Sequence, residues 1–193
     1  FIEASRHLSD FINYVVPRGE SLWIAQRNGR TKDGRDKTDP GLLKMLLLAG
    51  DRLDTLRSLH ITPVAVSYQW EPCDELKAVE LYRSMGGRPY VKAPGEDLHS
   101  IVTGITSRKG NVHVCICPEV DSARFSGQLH RADILSVVDE MDQKIYEGYR
   151  LWDTNYAACD LLNCSSLHSG LYDSSVREEM VARTEKIIEK NLF

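Results

Sequence analysis

Three short runs of strand-forming residues, 22–25 (LWIA), 61–68 (ITPVAVSY) and 111–117 (NVHVCIC), are set among segments whose apolar residues recur at helical spacing. Strands separated by helices point to an α/β chain, a mixed, partly parallel sheet flanked by helices. The first run is continuous and apolar and reads as a buried strand. The second is entered through Pro63, and the third alternates apolar with other residues. Helical spacing begins at once with Ile2, Leu8, Phe11, Ile12 and Val15. It returns after Asp39 and Pro40, a capping pair, in Leu42, Leu43, Met45, Leu46, Leu47 and Leu48. Further helices are expected near 51–58, 74–84 and 95–107, and in a helical C-terminal part, 131–193, near 131–148, 153–162 and 174–191. Three strands are few for so much helix, so further strands are expected before Phe1.

With 193 residues, 42% hydrophobic and 27% charged, the chain can bury a sizeable core, and one domain over 1–193 is expected. Lys and Arg number 24 against 28 Asp and Glu, a net charge of -4. No global positive field draws nucleic acid, which is not expected as a partner, and any anion site must be local. The longest strongly apolar stretch, 42–49, is broken by Lys44 and falls far short of the roughly 20 residues needed to cross a bilayer. Five cysteines, an odd number without a secretory signal, read as free thiols in a reducing, cytoplasmic compartment.

The stretch 27–40, RNGRTKDGRDKTDP, contains no large apolar residue and reads as an exposed loop. Before Asp39 it carries Arg27, Arg30, Lys32, Arg35 and Lys37 against Asp33 and Asp36. Arginine forks hold two phosphate oxygens at once, and Gly29 and Gly34 let backbone N–H groups approach an anion. The N-terminus of the helix that follows is expected to add a favourable dipole. The loop therefore reads as a local phosphate receptor, placed beyond the expected first strand where open α/β sheets bind ligands.

The stretch 23–46, WIAQRNGRTKDGRDKTDPGLLKML, resembles the phosphate-binding motif region of the lysophosphatidic acid and glycerol-3-phosphate acyltransferase superfamily. Its bacterial branch reads approximately WIAQREGRAKDGNDRTQPGLLKML there. Residues 61–74, ITPVAVSYQWEPCD, and 145–162, IYEGYRLWDTNYAACDLL, are similar to the same branch, so the resemblance covers most of the chain. It implies a glycerol-3-phosphate acyltransferase-like fold and transfer of a fatty acyl group from acyl-CoA or acyl-carrier protein to a glycerol-phosphate or lysophospholipid acceptor. It implies no cofactor beyond the thioester donor, and a place at the inner face of the cytoplasmic membrane with peripheral membrane contact. Matched to the motif, Arg27, Asn28, Gly29, Arg30 and Lys32 would hold the acceptor phosphate, Arg30 foremost. Asn28 stands where the family carries Glu, and brings no negative charge.

In the superfamily a His, separated by four residues from an Asp, acts as general base on the acceptor hydroxyl. That pair precedes the Gly-Arg motif by a long interval, so it is expected upstream of Phe1. His7 and Asp10 have two residues between them and read as helix surface; His168 and Asp173 have four but lie at the wrong end of the chain. His113, Cys115 and Cys117 share one strand face, yet positions two apart on a strand seldom chelate one ion, and no metal site is expected. Trp23, Trp70 and Trp152 are candidates for core or for an acyl channel. The alternative from another class is a non-catalytic phosphate- or lysophospholipid-binding module that keeps the loop without the chemistry, with Asn28 as its mark.

Overall fold

The computed structural model describes residues 2–27, 29, 31–32, 34–85, 87 and 89–191, with the side chain of Asn191 excepted. They form two compact units, Phe1–Ala65 with Cys115–Tyr149, and Val66–Val114 with Arg150–Phe193.

The first unit contains helices α1 (Ile2–Val15), α2 (Pro40–Leu46) and α3 (Arg52–Ser58) and the long α6 (Arg131–Gly148). α6 carries Ile134, Val137, Val138 and Met141, a stripe at helical spacing, and buries it among Leu43, Leu47, Leu53, Leu56, Val120 and Leu129. Both short helices are started by aspartates. Asp39 accepts from Gly41 N at 2.7 Å, and Asp51 accepts from Leu53 N at 2.9 Å and Asp54 N at 3.1 Å. α1 joins the unit through polar atoms. Ser9, fully buried, donates to Leu46 O at 3.0 Å and accepts from Ala49 N at 3.2 Å, closing the end of α2.

The second unit contains α4 (Asp74–Ser84), α5 (Glu96–Thr106), α7 (Asp153–Leu162) and α8 (Ser174–Asn191). Arg183 grips the Asp74 carboxylate with two nitrogens, and Lys190 reaches Glu75 at 2.7 Å, tying α8 to α4. Asp160 is buried beneath the segment after α7. It accepts from Ser165 Oγ at 2.7 Å, His168 N at 3.0 Å and Tyr172 Oη at 2.9 Å. Burial pushes its carboxyl up, but the bonds from Ser165, Tyr172 and His168 outweigh that and hold it below the ordinary aspartate range.

Strands β1 (Val64–Tyr68) and β2 (Val112–Ile116) pair as a two-stranded sheet. Cys117 N donates to Pro63 O in the first unit and Gln69 N to Asn111 O in the second, both at 2.9 Å. Residue numbers that rise on one strand as they fall on the other make the pairing antiparallel. The fold is thus mixed and helix-rich, and the parallel pairing expected from alternating strands and helices is not found among the described residues. Residues 22–25 are also not a strand. They belong to no regular element, with Leu22 42%, Trp23 74% and Ile24 40% exposed, since a strand needs a hydrogen-bonded neighbour and no described segment supplies one. Among the described residues no helix is long and apolar enough to cross a membrane.

Gly148 ends α6 where a side chain has no room. A Cβ there would stand 3.0 Å from Cys117 Sγ, 3.2 Å from Cys115 Sγ and 3.3 Å from Ala65 Cβ. Gly148→Ala adds helix propensity worth up to about 1 kcal/mol against overpacking of roughly 1–3 kcal/mol. A net loss of about 1 kcal/mol is expected by urea unfolding, partly recovered by adding Cys115→Ala; a gain in stability would refute the packing argument.

The lowered Asp160 pKa makes a second prediction. Because the folded group binds its proton less readily than the unfolded one, the stability it contributes is present at neutral pH and is lost as pH falls through the lowered value. A carboxyl-carbon NMR titration should place the Asp160 midpoint below the ordinary aspartate range. A midpoint within or above that range contradicts it.

Candidate functional site

The basic loop between residues 26 and 39 is closed at its base. Asp39 N donates to Gln26 O at 2.9 Å, so the chain leaves and re-enters at one place, and Thr38, itself buried, stands just inside. Thr38 N and Thr38 Oγ1 both donate to Asp142 Oδ1 of α6, at 2.9 and 2.6 Å. One helical turn further on, Tyr146 Oη donates to Asp36 O at 2.6 Å. Burial pushes the Tyr146 phenol up, and the Asp142 and Asp36 carboxylates add to the shift, so the hydroxyl keeps its proton and its role as donor.

Inside the loop, Thr31 Oγ1 donates to Asp36 Oδ1 at 2.7 Å and Asp36 N to Gly34 O at 3.0 Å. The acidic side chains Asp36 and Asp39 are thereby engaged in holding the loop and the start of α2. The loop's basic residues exceed its acids, which leaves a local positive excess on a chain of negative net charge.

Gly29 and Gly34 have φ of 72° and 76°, in the left-handed region. Nothing lies within 4 Å of where a Cβ would be at either, so backbone conformation and not crowding calls for glycine. Of the five residues matched to the phosphate motif, Arg27, Gly29 and Lys32 lie on this loop, Arg27 and Lys32 half-buried and Gly29 exposed. Asn28 and Arg30 lie outside the described residues, as does Asp33. Arg35 and Lys37, exposed, extend the basic side of the loop toward α2.

One expected contribution is not made. α2 has seven residues, Pro40 in its first turn has no N–H to offer, and the Asp39 carboxylate already takes Gly41 N. The helix N-terminus is occupied by the protein's own anion, so any phosphate must be held by the loop itself.

The other candidates are dispersed. His7 and Asp10 are exposed on α1. The His168 ring lies against Tyr156, 5.5 Å between centroids, and its backbone serves Asp160, while Asp173 is exposed at the start of α8. His113 and Cys115 occupy alternate, inward positions of β2 and Cys117 follows directly after the strand. Burial pushes the Cys117 thiol up, and its neighbour Cys115 adds to this, which disfavours a metal-ligating thiolate. Among the described residues no three His, Cys, Asp or Glu side chains come together to hold a metal ion. Trp70 and Trp152 are buried, stacked by Arg108 and Arg150 respectively, and Trp23 is exposed.

Thr38, Asp142 and Tyr146 were not singled out by the sequence. Asp142 lies 104 positions from Thr38, and no local pattern links them.

Comparison with protein-family models, with curated proteins and with solved structures finds no match.

Proposed function

We propose that this chain is the phosphate-binding part of an acyltransferase that moves a fatty acyl group from acyl-CoA or acyl-carrier protein to a glycerol-phosphate or lysophospholipid acceptor, with the glycerol-3-phosphate acyltransferase-like fold that this implies. The observation that carries the reading is the closed basic loop. Its sequence resembles the motif of that superfamily, and its C-terminal limb is pinned to α6 at Thr38 and Asp36 while Arg27, Lys32, Arg35 and Lys37 stand along the loop. A phosphate monoester is the ligand such a loop suits, a dianion met by guanidinium and ammonium donors and by backbone N–H groups next to glycine.

In this reading the loop fixes the acceptor phosphate, and the acceptor hydroxyl is thereby placed at the reacting thioester. A His base removes the hydroxyl proton as the oxygen attacks the thioester carbonyl; the C–S bond breaks and the carrier thiol leaves with a proton. In this reading the His and its Asp partner belong to the family's catalytic segment, which precedes the Gly-Arg motif by a long interval.

Asn28 in place of the family Glu is the specific feature favouring the second reading, a binding module without acyl transfer. The two part on one assay: the full-length protein turns over acyl-CoA with glycerol 3-phosphate, or it binds lysophosphatidic acid and releases no thiol.

In the full-length enzyme, Arg30→Ala should raise the acceptor KM roughly tenfold or more, the cost of a charge-assisted phosphate contact, with less effect on the thioester KM. Unchanged acceptor kinetics would remove Arg30 from the site.

The membrane contact in this proposal falls on α5, which exposes Leu98, Ile101, Val102 and Ile105 along one side. Ile101→Asp with Ile105→Asp should reduce co-sedimentation with phosphatidylglycerol vesicles several-fold. Equal sedimentation of the variant would place the contact elsewhere.

A further inference from the structure

The loop that would receive the phosphate is built from residues with no apolar anchor of their own. Ordering each of its residues costs conformational entropy, and a loop that must be ordered by its ligand binds that ligand more weakly than one already in shape. From the way this loop is held we infer that Asp142 and Tyr146 of α6, acting through Thr38 and Asp36, are positioning residues that preorganise it for a phosphate monoester. The inference rests on the phosphate reading above and names the residues that set its affinity.

The geometry is that of a two-point clamp. Asp142 and Tyr146 are four residues apart, hence neighbours on one side of α6. That helix is itself immobilised by Ile134, Val137, Val138 and Met141 in the core. The first point is at the loop's base, where a single carboxylate oxygen takes both the amide and the hydroxyl of Thr38 at 2.9 and 2.6 Å. Thr38 Oγ1 also lies 3.2 Å from Gln26 Oε1, a competing acceptor for its one proton, and the ends of the loop are joined by Asp39 N donating to Gln26 O at 2.9 Å. The second point is Asp36 O, held by Tyr146 Oη at 2.6 Å, within the stretch that carries Arg35 and Lys37. Asp36 in turn receives Thr31 Oγ1 and so carries the constraint across Gly34 toward Lys32. None of these groups needs to touch the ligand. They fix the backbone at Asp36 and Thr38, next to Arg35 and Lys37.

The test uses the full-length protein, sn-glycerol 3-phosphate as probe and trypsin, for which the loop offers Arg27, Arg30, Lys32, Arg35 and Lys37 as cleavage sites. Asp142→Ala should raise the KM or Kd for glycerol 3-phosphate about tenfold, the loss of a charge-assisted pair of bonds, with the thioester KM and kcat within about twofold. Asp142→Asn keeps an oxygen acceptor and should stay within about threefold of the parent. Without ligand, cleavage within 27–37 should speed several-fold in Asp142→Ala and in Tyr146→Phe, with cleavage elsewhere unchanged. Should Asp142→Ala not fold, Tyr146→Phe, which loses one hydroxyl, carries both readouts. If Arg35→Ala weakens glycerol 3-phosphate binding while the Asp142 and Tyr146 variants alter neither affinity nor loop cleavage, the inference fails and the phosphate reading stands. If the parent binds no glycerol 3-phosphate and Arg35→Ala changes nothing, both fail.

Discussion

Burial of one stripe of α6 is the interaction on which the rest of the first unit depends. Ile134, Val137, Val138 and Met141 meet Leu43 of α2, Leu47 just after it, and Leu53 and Leu56 of α3, so a single helix face organises the core. Burying side chains of this size contributes roughly 1.5–3 kcal/mol each, more than any surface ion pair of the chain can supply. The same helix then does three other things by position alone. Its adjoining side carries Asp142 and Tyr146 to the basic loop, its end brings Gly148 against the Cys115 and Cys117 sulfurs, and Lys144 on it pairs with Glu140 at 2.6 Å. A core contact thus becomes the reference against which a polar loop is placed.

The second unit is held differently. Its helices are joined by charge and hydrogen bonding at specific points, with Asp74 gripped by Arg183, Glu75 by Lys190, and Gln69 reaching Asp153 at 3.0 Å. Asp160 is the most exacting of these, a buried carboxylate that persists only because three donors surround it. Several apolar residues of α5 stay exposed in this unit, among them Leu98 and Ile105. Contiguous apolar surface on a helix marks a place where something else belongs, and the proposed lipid contact gives it an occupant.

The candidate site was half legible. The charge-dense, glycine-punctuated loop stands out because 27–40 contains no large apolar residue, and Gly29 and Gly34 take a positive φ there. What holds the loop was not legible, since Asp142 and Tyr146 look like ordinary polar residues beside an amphipathic stripe and gain meaning only when the chain returns. The helix-dipole contribution failed for a local reason: the capping aspartate that announces α2 also fills the position an external anion would take.

The sequence by itself determined where most helices lie. α4, α6, α7 and α8 occupy 74–84, 131–148, 153–162 and 174–191 as expected, because apolar spacing and turn residues act within a few positions of one another. It also determined that no apolar stretch could span a bilayer and that five of the 24 basic residues fall within one short loop. Tertiary structure decided the strands and the clamp. Residues 22–25 have the composition of a strand and no partner to make them one, and β1 pairs with β2 antiparallel although 43 residues of mostly helical chain part Tyr68 from Val112. A strand and a loop anchor are both relations between distant residues: their hydrogen bonds exist only once the core has closed the chain, and no property of either residue alone encodes the other.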